Sequence, residues 1–221
     1  MRSNKEIFLE DGIIVLKNCI SSKDVAFLRQ KFESEHQAIH DKTYIGFDEI
    51  DFTEEIVERF LSPNLTDALK DIFKEPYILP DFILQYGNTP KSVIRPHYDL
   101  QSYIRQGLDD ILYNDVKYAK VGLYLQDSDE QNPGSIWYVP KSHKFKVFRL
   151  VWKIPSVKLK NILDIFLKNI FKKRQVPVNA SAGDIVIFDG RLLHSSAPMP
   201  ITKSSKKPKK IAFYISVTGN L

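Results

Sequence analysis

The sequence contains a single cysteine, Cys19, among 221 residues. One cysteine cannot form an intramolecular disulfide, so the chain is not a small disulfide-stapled domain and suits a reducing compartment. The chain also lacks an uncharged apolar run of about 18 residues, the length a transmembrane helix needs, so no membrane span is predicted. The opening residues MRSNKEIFLEDG hold no apolar segment typical of a signal peptide, and we therefore expect a cytoplasmic location.

The composition, 43% hydrophobic and 12% aromatic, is typical of a globular protein, and the length suits one domain over residues 1–221. Apolar residues at helical spacing predict a helix from about 23 to 40, capped by Ser22, and shorter helices near 54–61 and 66–74. Short apolar segments from Tyr77 onward predict strands at about 78–86, 92–98, 118–126, 135–139, 184–188 and 210–217. We expect a mainly β protein with flanking α-helices.

The net charge of +5 is distributed unevenly along the chain. Residues 141–174 contain eleven Lys or Arg and one acidic residue, Asp164, so the rest of the chain is net negative. Within the insertion at about 143–175 the sequence predicts an amphipathic basic helix that Ser156 caps. Its apolar residues recur with helical period: Leu159, Ile162, Leu163, Phe166, Ile170 and Phe171.

Three interpretations of this insertion remain open from the sequence. The apolar face can dock on the rest of the protein while the lysines stay in water. Alternatively, the helix can contact an anionic membrane surface, which its mixture of lysines with aliphatic and aromatic residues suits. Nucleic-acid binding is the least favoured, because the basic residues lie beside aliphatic side chains rather than flat stacking aromatics.

The sequence His97-Tyr98-Asp99 suggests a metal site. Residues i and i+2 of a strand point to one side, so His97 and Asp99 can bind one ion together. His194 is the best third ligand, because it follows the buried-strand pattern of residues 185–188 and a Gly-Arg turn. Two histidines and one carboxylate are the ligand set that holds Fe(II) on one face and leaves the other face open. The alternative is a surface histidine, a turn aspartate and a buried histidine with ordinary hydrogen bonds.

Four segments in order resemble the phytanoyl-CoA dioxygenase family of iron- and 2-oxoglutarate-dependent oxygenases. They are the opening FLEDGIIVLKN of residues 8–18, the HxD of residues 97–99, residues 127–144 ending in GSIWYVPKSHK, and residues 183–196 with GD, a phenylalanine and the HxS. The resemblance implies a double-stranded β-helix (a cupin-like jelly roll), with Fe(II), 2-oxoglutarate and O2 as its cofactors. It assigns the iron to His97, Asp99 and His194.

The resemblance also implies residues that bind the co-substrate. Ser196 matches the hydroxyl that hydrogen-bonds the distal carboxylate of 2-oxoglutarate. The family usually has an arginine on the last core strand, two positions before a small residue, and here Lys210 occupies that position, with Lys209 as the fallback. A lysine provides a point charge in place of a bidentate fork.

Further residues near the ligands are candidates for substrate contacts: Arg95, Tyr98, Gln101, Tyr103, Trp137 and Arg191. The two arginines can equally form structural ion pairs, and the aromatic residues can simply pack in the core. Trp137 and Tyr138 alternate along a strand, so we expect only one of them to face inward.

The expected function is hydroxylation of a C–H bond in an anionic substrate. Positive charge around the expected pocket mouth favours an acidic sugar, a glycolipid such as an inner sugar of lipopolysaccharide, or an acyl group on a phosphate-bearing carrier. A lipid-linked substrate would place the protein at the inner face of a membrane. The alternatives are a non-catalytic jelly-roll module that binds a metal or ligand, and a peripheral membrane-binding protein. Nucleic acid is not an expected partner.

Overall fold

The structure is a computed structural model that describes residues 2–39, 44–46, 54–87, 97–99, 116–127, 136–145, 156–196 and 210–221. The helices of these residues are α1 (Asn4–Asp11), α2 (Ser22–Ile39), α3 (Glu54–Phe60), α4 (Pro63–Ile72) and α5 (Val157–Lys172), with a 3-10 turn at Ser142–Lys144. The strands are β1 (Ile13–Leu16), β2 (Tyr44–Gly46), β3 (Tyr77–Gly87), β4 (Val116–Tyr124), β5 (Ile136–Tyr138), β6 (Val176–Pro177), β7 (Ile185–Asp189), β8 (His194–Ser196) and β9 (Lys210–Asn220).

The strands form two sheets. The larger has the order β1-β7-β4-β9-β3-β2, and the smaller has the order β6-β5-β8. Neighbouring strands in both sheets run antiparallel. Ile136 and Val178 from the side of the smaller sheet pack with Val186, Phe188 and Ala212 of the larger one, so the sheets face each other across a shared interior. The predicted mainly β, cupin-like fold is confirmed.

Alternation along the strands separates two apolar layers. In β9, Ile211, Phe213 and Ile215 face the helices, where they meet residues such as Phe32 and Phe60. The alternate residues of the same strand lie on the inner face towards the smaller sheet: Ala212, Tyr214 and Ser216. This division matches the faces that the period-two pattern of β9 predicts.

The start of the chain forms a helix, a strand and then the predicted long helix with a different cap. Residues 8–18, which resemble the family's opening segment, contain the end of helix α1, which begins with the reciprocal capping box of Ser3 and Glu6, and then strand β1 from Ile13. Gly12 ends the helix at φ 78°, a conformation that glycine adopts without strain. Ser21 rather than Ser22 accepts the backbone N–H of Asp24 at the start of α2, at 3.1 Å.

Helix α5 confirms the predicted basic helix, and Ser156 Oγ accepts the backbone N–H of Leu159 at its start. Its apolar residues divide between two faces. Leu167 and Phe171 pack on Tyr98, Val139 and Leu193. The second face is open to solvent and comprises Leu159, Ile162, Ile165, Phe166 and Ile170, which are 45–59% exposed. We call these five residues the exposed stripe. The docking interpretation therefore holds for one face of the helix only.

None of the described helices combines the length and apolar character that crossing a membrane requires. The expected strand at 92–98 reaches the described residues only at its end.

Candidate active site

The two histidines of the predicted triad lie side by side. The backbone N–H of His97 donates to the carbonyl of His194 at 2.8 Å, and the N–H of His194 donates back to His97 at 3.0 Å. This reciprocal pair of hydrogen bonds joins the segment of residues 97–99 to the start of β8. The two imidazole centroids are 4.3 Å apart. Asp99 follows two residues after His97 and shares its side of the backbone, as the i, i+2 spacing predicts.

The three side chains converge on one point. His97 Nε2 lies 3.5 Å from Asp99 Oδ1, and His194 Nε2 lies 3.6 Å from Asp99 Oδ2. One ligand atom from each residue lies within 4.8 Å of the others. Metal bonds of about 2.1 Å would place neighbouring ligand atoms on the order of 3 Å apart, so a small contraction closes the site around an ion. The donor set and its spacing fit Fe(II).

Hydrogen bonding fixes which nitrogen of His194 can bind a metal. Its Nδ1 lies 2.9 Å from the carbonyl of Leu192, and a carbonyl only accepts, so Nδ1 carries the proton. Nε2 is then the nitrogen that remains to bind a metal, and it lies 3.6 Å from Asp99 Oδ2. The ring is buried and lies 4.8 Å from the ring of Phe188. A backbone carbonyl in this role is the usual support for a metal-binding histidine.

The charges around Asp99 keep it ionised. Burial alone raises the pKa of the carboxyl, but His194, His97 and then Lys120 lower it, and the net result is a pKa well below the usual range. A carboxylate stays deprotonated at neutral pH in this position, which is the form that a metal ion requires.

The sequence matches the family described as phytanoyl-CoA dioxygenase (PhyH) over residues 8–206, most of its length. The chain belongs to the phytanoyl-CoA dioxygenase family. Membership confirms the family predicted from the motifs and the enzyme class, an oxygenase dependent on Fe(II), 2-oxoglutarate and O2. No curated protein matches the sequence.

Solved structures with the same fold are distant in sequence. The non-heme alpha ketoglutarate dependent carbocyclase SnoK from nogalamycin biosynthesis has a TM-score of 0.70 at 14% identity, over 98% of this chain and 83% of that one. HygX from Streptomyces hygroscopicus, with nickel and 2-oxoglutarate bound, has a TM-score of 0.66 at 16% identity, over 99% and 87%. AviO1 from Streptomyces viridochromogenes Tue57 has a TM-score of 0.64 at 16% identity, over 97% and 92%.

For the residues that family resemblance assigns to 2-oxoglutarate, the structure gives backbone positions. Ser196 pairs with Ile136 at the end of β8, and Lys210 pairs with Gly87 at the start of β9. Lys209 lies outside the described residues. On the inner face, Tyr124 and Tyr214 meet with their hydroxyl oxygens 3.1 Å apart. Burial raises the pKa of Tyr124, so its phenol stays neutral and able to donate.

The residues suggested for substrate contact are dispersed. Arg191 donates to the buried carboxylate of Asp189 through Nε at 2.8 Å and through a second nitrogen, the ion pair that the sequence left open as an alternative. Tyr98 is 2% exposed and packs beneath α5, on the side of its segment away from the ligands. On β5, Tyr138 packs against the apolar residues between the two sheets, and Trp137 is the neighbouring residue that alternates with Tyr138 along the strand. Arg95, Gln101 and Tyr103 lie outside the described residues.

The structure adds one charged residue that sequence reasoning missed. Lys120 lies on β4 and is 7% exposed. Its positive charge helps to lower the pKa of Asp99. The available signal was its position in the strand. Ala119, Val121 and Leu123 fill the outer face, so Lys120 has to share the other face with Gly122 and Tyr124.

Proposed function

We propose that this chain hydroxylates a C–H bond of an anionic small-molecule or lipid-linked substrate, with Fe(II) held by His97, Asp99 and His194. The observation that supports this most directly is the convergence of the three ligand atoms within 4.8 Å. The hydrogen bond from His194 Nδ1 to the carbonyl of Leu192 further supports the proposal, because it leaves Nε2 as the nitrogen available at the same point. The bound iron supplies the activation of O2, and the protein supplies position and charge.

The residues around the site have separate roles in this proposal. Ser196 and Lys210, with Lys209 as the fallback, hold the distal carboxylate of 2-oxoglutarate. The Tyr124–Tyr214 hydroxyl pair provides polar hydrogen-bonding groups in the interior. Apolar side chains such as Phe188 and Val186 keep the inner face free of competing water. The intact carboxylate of Asp99 favours hydroxylation, because halogenating relatives carry a small residue there.

Loading with iron and 2-oxoglutarate without oxygen tests this proposal. We expect Fe(II)-loaded protein titrated with 2-oxoglutarate to develop a weak metal-to-ligand charge-transfer band in the visible spectrum. The His97→Ala/Asp99→Ala variant, checked for folding by circular dichroism, should show none. A folded wild-type chain that binds iron and gives no band is a non-catalytic metal-binding module, the main alternative, and the proposal is then wrong.

The substrate class rests on charge. The region 141–174, rich in Lys and Arg, leads from the SHK turn into α5, which packs behind Tyr98 of the HxD segment. Anionic molecules are attracted to such a region. An acidic sugar, an inner-core glycolipid sugar and an acyl group on a phosphate-bearing carrier all meet this requirement.

We further propose that α5 brings the protein to the inner face of an anionic membrane, where a lipid-linked substrate would be found. Three exposed basic residues accompany the exposed stripe on α5 or directly after it: Lys158, Lys173 and Arg174. An apolar stripe flanked by lysines matches the surface of an interfacial helix, whose lysines interact with anionic headgroups. Because the opposite face of α5 holds Leu167 and Phe171 against the protein, the stripe is presented outward.

Vesicle sedimentation tests the membrane contact. We expect the protein to sediment with vesicles containing phosphatidylglycerol, less so at high salt, and weakly with pure phosphatidylcholine. An Ile162→Ser/Phe166→Ser variant should lose most binding, while a Leu9→Ser variant, which alters an exposed apolar residue outside α5, should retain it. If vesicle binding is unchanged at high salt and in the Ile162→Ser/Phe166→Ser variant, this membrane contact is ruled out and a freely diffusing substrate remains.

A further inference from the structure

Helix α5 lies behind the strand that carries His194. In the smaller sheet His194 pairs with Tyr138, and both side chains face the interior between the sheets. Leu193, one residue earlier, points to the opposite side of the chain because side chains alternate along a strand. There Leu193 is fully buried with Val139 in an apolar cluster on which α5 packs. The helix and the metal ligand thus occupy opposite sides of the same strand.

The HxD segment repeats this arrangement. Tyr98 lies between His97 and Asp99 in sequence, so its side chain points away from theirs. It is 2% exposed and belongs to the same apolar cluster as Leu193. Each of the three proposed ligands is therefore next in sequence to a residue that packs under α5. We call this group the rear cluster, and its members are Tyr98, Val139 and Leu193 with Phe145, Leu167 and Phe171 packed against them.

A polar contact joins the end of the insertion to the other neighbour of His194. Gln175 follows α5 by three residues and is half-buried. Its Nε2 donates to Ser195 Oγ at 2.9 Å, and the hydroxyl of Ser195 donates back to Oε1 at 3.1 Å. The same Nε2 donates to the carbonyl of Trp137 on β5 at 3.4 Å. The insertion therefore contacts the residues on both sides of His194.

Contacts behind metal ligands commonly decide how well the ligands hold an ion, because they fix the orientation of each ligand before the ion binds. A closely packed interior has little free space, so a shift of the helix displaces the residues packed beneath it. We propose that α5 is a positioning element for the metal centre, acting through Leu167 and Phe171 on the rear cluster. Gln175 is a positioning residue that acts through Ser195.

This inference rests on the proposed oxygenase function and gives the insertion a second role. The positioning contacts lie on the packed face of α5, whereas the exposed stripe lies on its open face. The two roles can therefore be separated by substitution. Changes on the packed face should alter the metal centre, and changes in the exposed stripe should not.

Co(II) binding without oxygen tests the effect on the metal centre. Co(II) replaces Fe(II), and its visible absorption spectrum reports the geometry of its ligands. We expect Phe171→Ala to bind Co(II) about tenfold more weakly than the wild type, the lower end of the range for loss of a group that supports metal ligands. At saturating Co(II) its spectrum should still differ from that of the wild type, which lower stability alone would not cause. Phe171→Leu, which refills most of the space, should restore most of the affinity and the wild-type spectrum.

Two controls accompany this variant. Phe166→Ser is the matched control on the same helix, because Phe166 is 59% exposed on the open face, and it should bind Co(II) like the wild type. Ile72→Val controls for general loss of stability, since Ile72 is fully buried on α4 outside the rear cluster. It should also leave affinity and spectrum unchanged. If Phe171→Ala does not fold, Leu167→Ala replaces it. A Co(II) affinity and spectrum equal to those of the wild type would overturn the inference, as would an equal loss in Ile72→Val.

A double-mutant cycle tests the contact between Gln175 and Ser195. Each single variant, Gln175→Ala and Ser195→Ala, should weaken Co(II) binding by about 2- to 10-fold, the range for one neutral hydrogen bond. The double variant should lose no more than the larger single loss, because both substitutions remove the same contact. Additive losses, or no loss in Gln175→Ala, would remove Gln175 from the positioning residues.

Hydrogen exchange on metal-free protein separates this inference from the proposed function. The amides of His97 and His194 donate the reciprocal backbone hydrogen bonds, so their exchange rates report how firmly the two segments are held. We expect both amides to exchange faster in Phe171→Ala than in Phe166→Ser, while the amide of Val121 in the larger sheet exchanges equally in the two variants.

The two failures are distinguishable. A wild-type chain that binds neither Co(II) nor 2-oxoglutarate would make the oxygenase proposal wrong, and the exchange rates would still decide whether α5 holds the two histidine segments. Unchanged exchange of both histidine amides in Phe171→Ala would overturn the inference whether or not the protein binds metal.

Discussion

At the residue scale, the carboxylate of Asp99 is the only negative charge among the three proposed ligands. We predict that Asp99→Asn, which keeps shape and removes charge, weakens Co(II) or Fe(II) binding at least about tenfold, since the charge attracts the ion and the amide is a poor donor. Equilibrium binding with a chromogenic chelator measures this. Asp189→Asn, a buried carboxylate bound to Arg191, is the control and should leave metal affinity unchanged.

His143 gives a second prediction at this scale. Burial lowers the pKa of its imidazole, whose Nε2 lies 3.2 Å from the carbonyl of Leu9 on α1. The neutral ring is favoured in the folded state, so stability is full above the unfolded pKa of about 6.5 and falls as pH drops below it. Urea denaturation at pH 7.5 and 5.5 should show this loss. His143→Gln should flatten the difference, and an unchanged pH dependence would assign it to other groups.

The residue types predictable from sequence were those with a specific chemistry and spacing. The triad could be proposed from the sequence because HxD and a later HxS occur in the order that the family resemblance implies. Lys120 was missed because a single lysine in a strand normally faces water, although the alternation around it was an available signal, and the register with Ser216 shows that it faces inward. Sequence also could not distinguish a substrate role for Arg191 from its ion pair with Asp189, since the two side chains are only two residues apart.

At the scale of elements, α5 is a helix with unequal faces. Phe171 packs with Phe145, their ring centroids 5.1 Å apart, whereas Phe166 is 59% exposed. We predict that Phe171→Ala lowers the free energy of unfolding by about 1–3 kcal/mol, below the value for a fully buried phenylalanine. Phe166→Ser should change it by less than about 0.5 kcal/mol. Urea denaturation of the two variants compares the two faces of α5 directly. Equal losses in the free energy of unfolding would contradict the division into a packed and an exposed face.

The accuracy of the element predictions follows from local signals. Helix α5 and strand β7 were predictable because each has a strong period or an unbroken β-branched run bounded by clear breakers. The three residues of β8 and the two of β6 were not, since their pairing depends on β5, far away in sequence. Helix α1 was not predicted, since its N-terminus is marked only by the short capping box of Ser3 and Glu6.

At the scale of the whole molecule, the proposed ligands come from two distant parts of the chain, so metal and co-substrate should stabilise the fold. Binding at 100 times the dissociation constant adds about 2.7 kcal/mol to the free energy of unfolding. For a chain of this length that corresponds to a rise in Tm of roughly 5–10 °C. Thermal melts with Ni(II) and 2-oxoglutarate, against chelator-treated protein, measure the shift. His194→Ala should remove it.

The reciprocal backbone bonds between His97 and His194 also bear on how the protein is made. They close a loop of nearly a hundred residues, and closing so long a loop is a late and slow event compared with forming helices such as α5. On the ribosome, His194 is synthesised long after His97 and Asp99. A partly synthesised chain can offer iron only two of the three proposed ligands, so we expect iron uptake to mark the completion of folding rather than guide it.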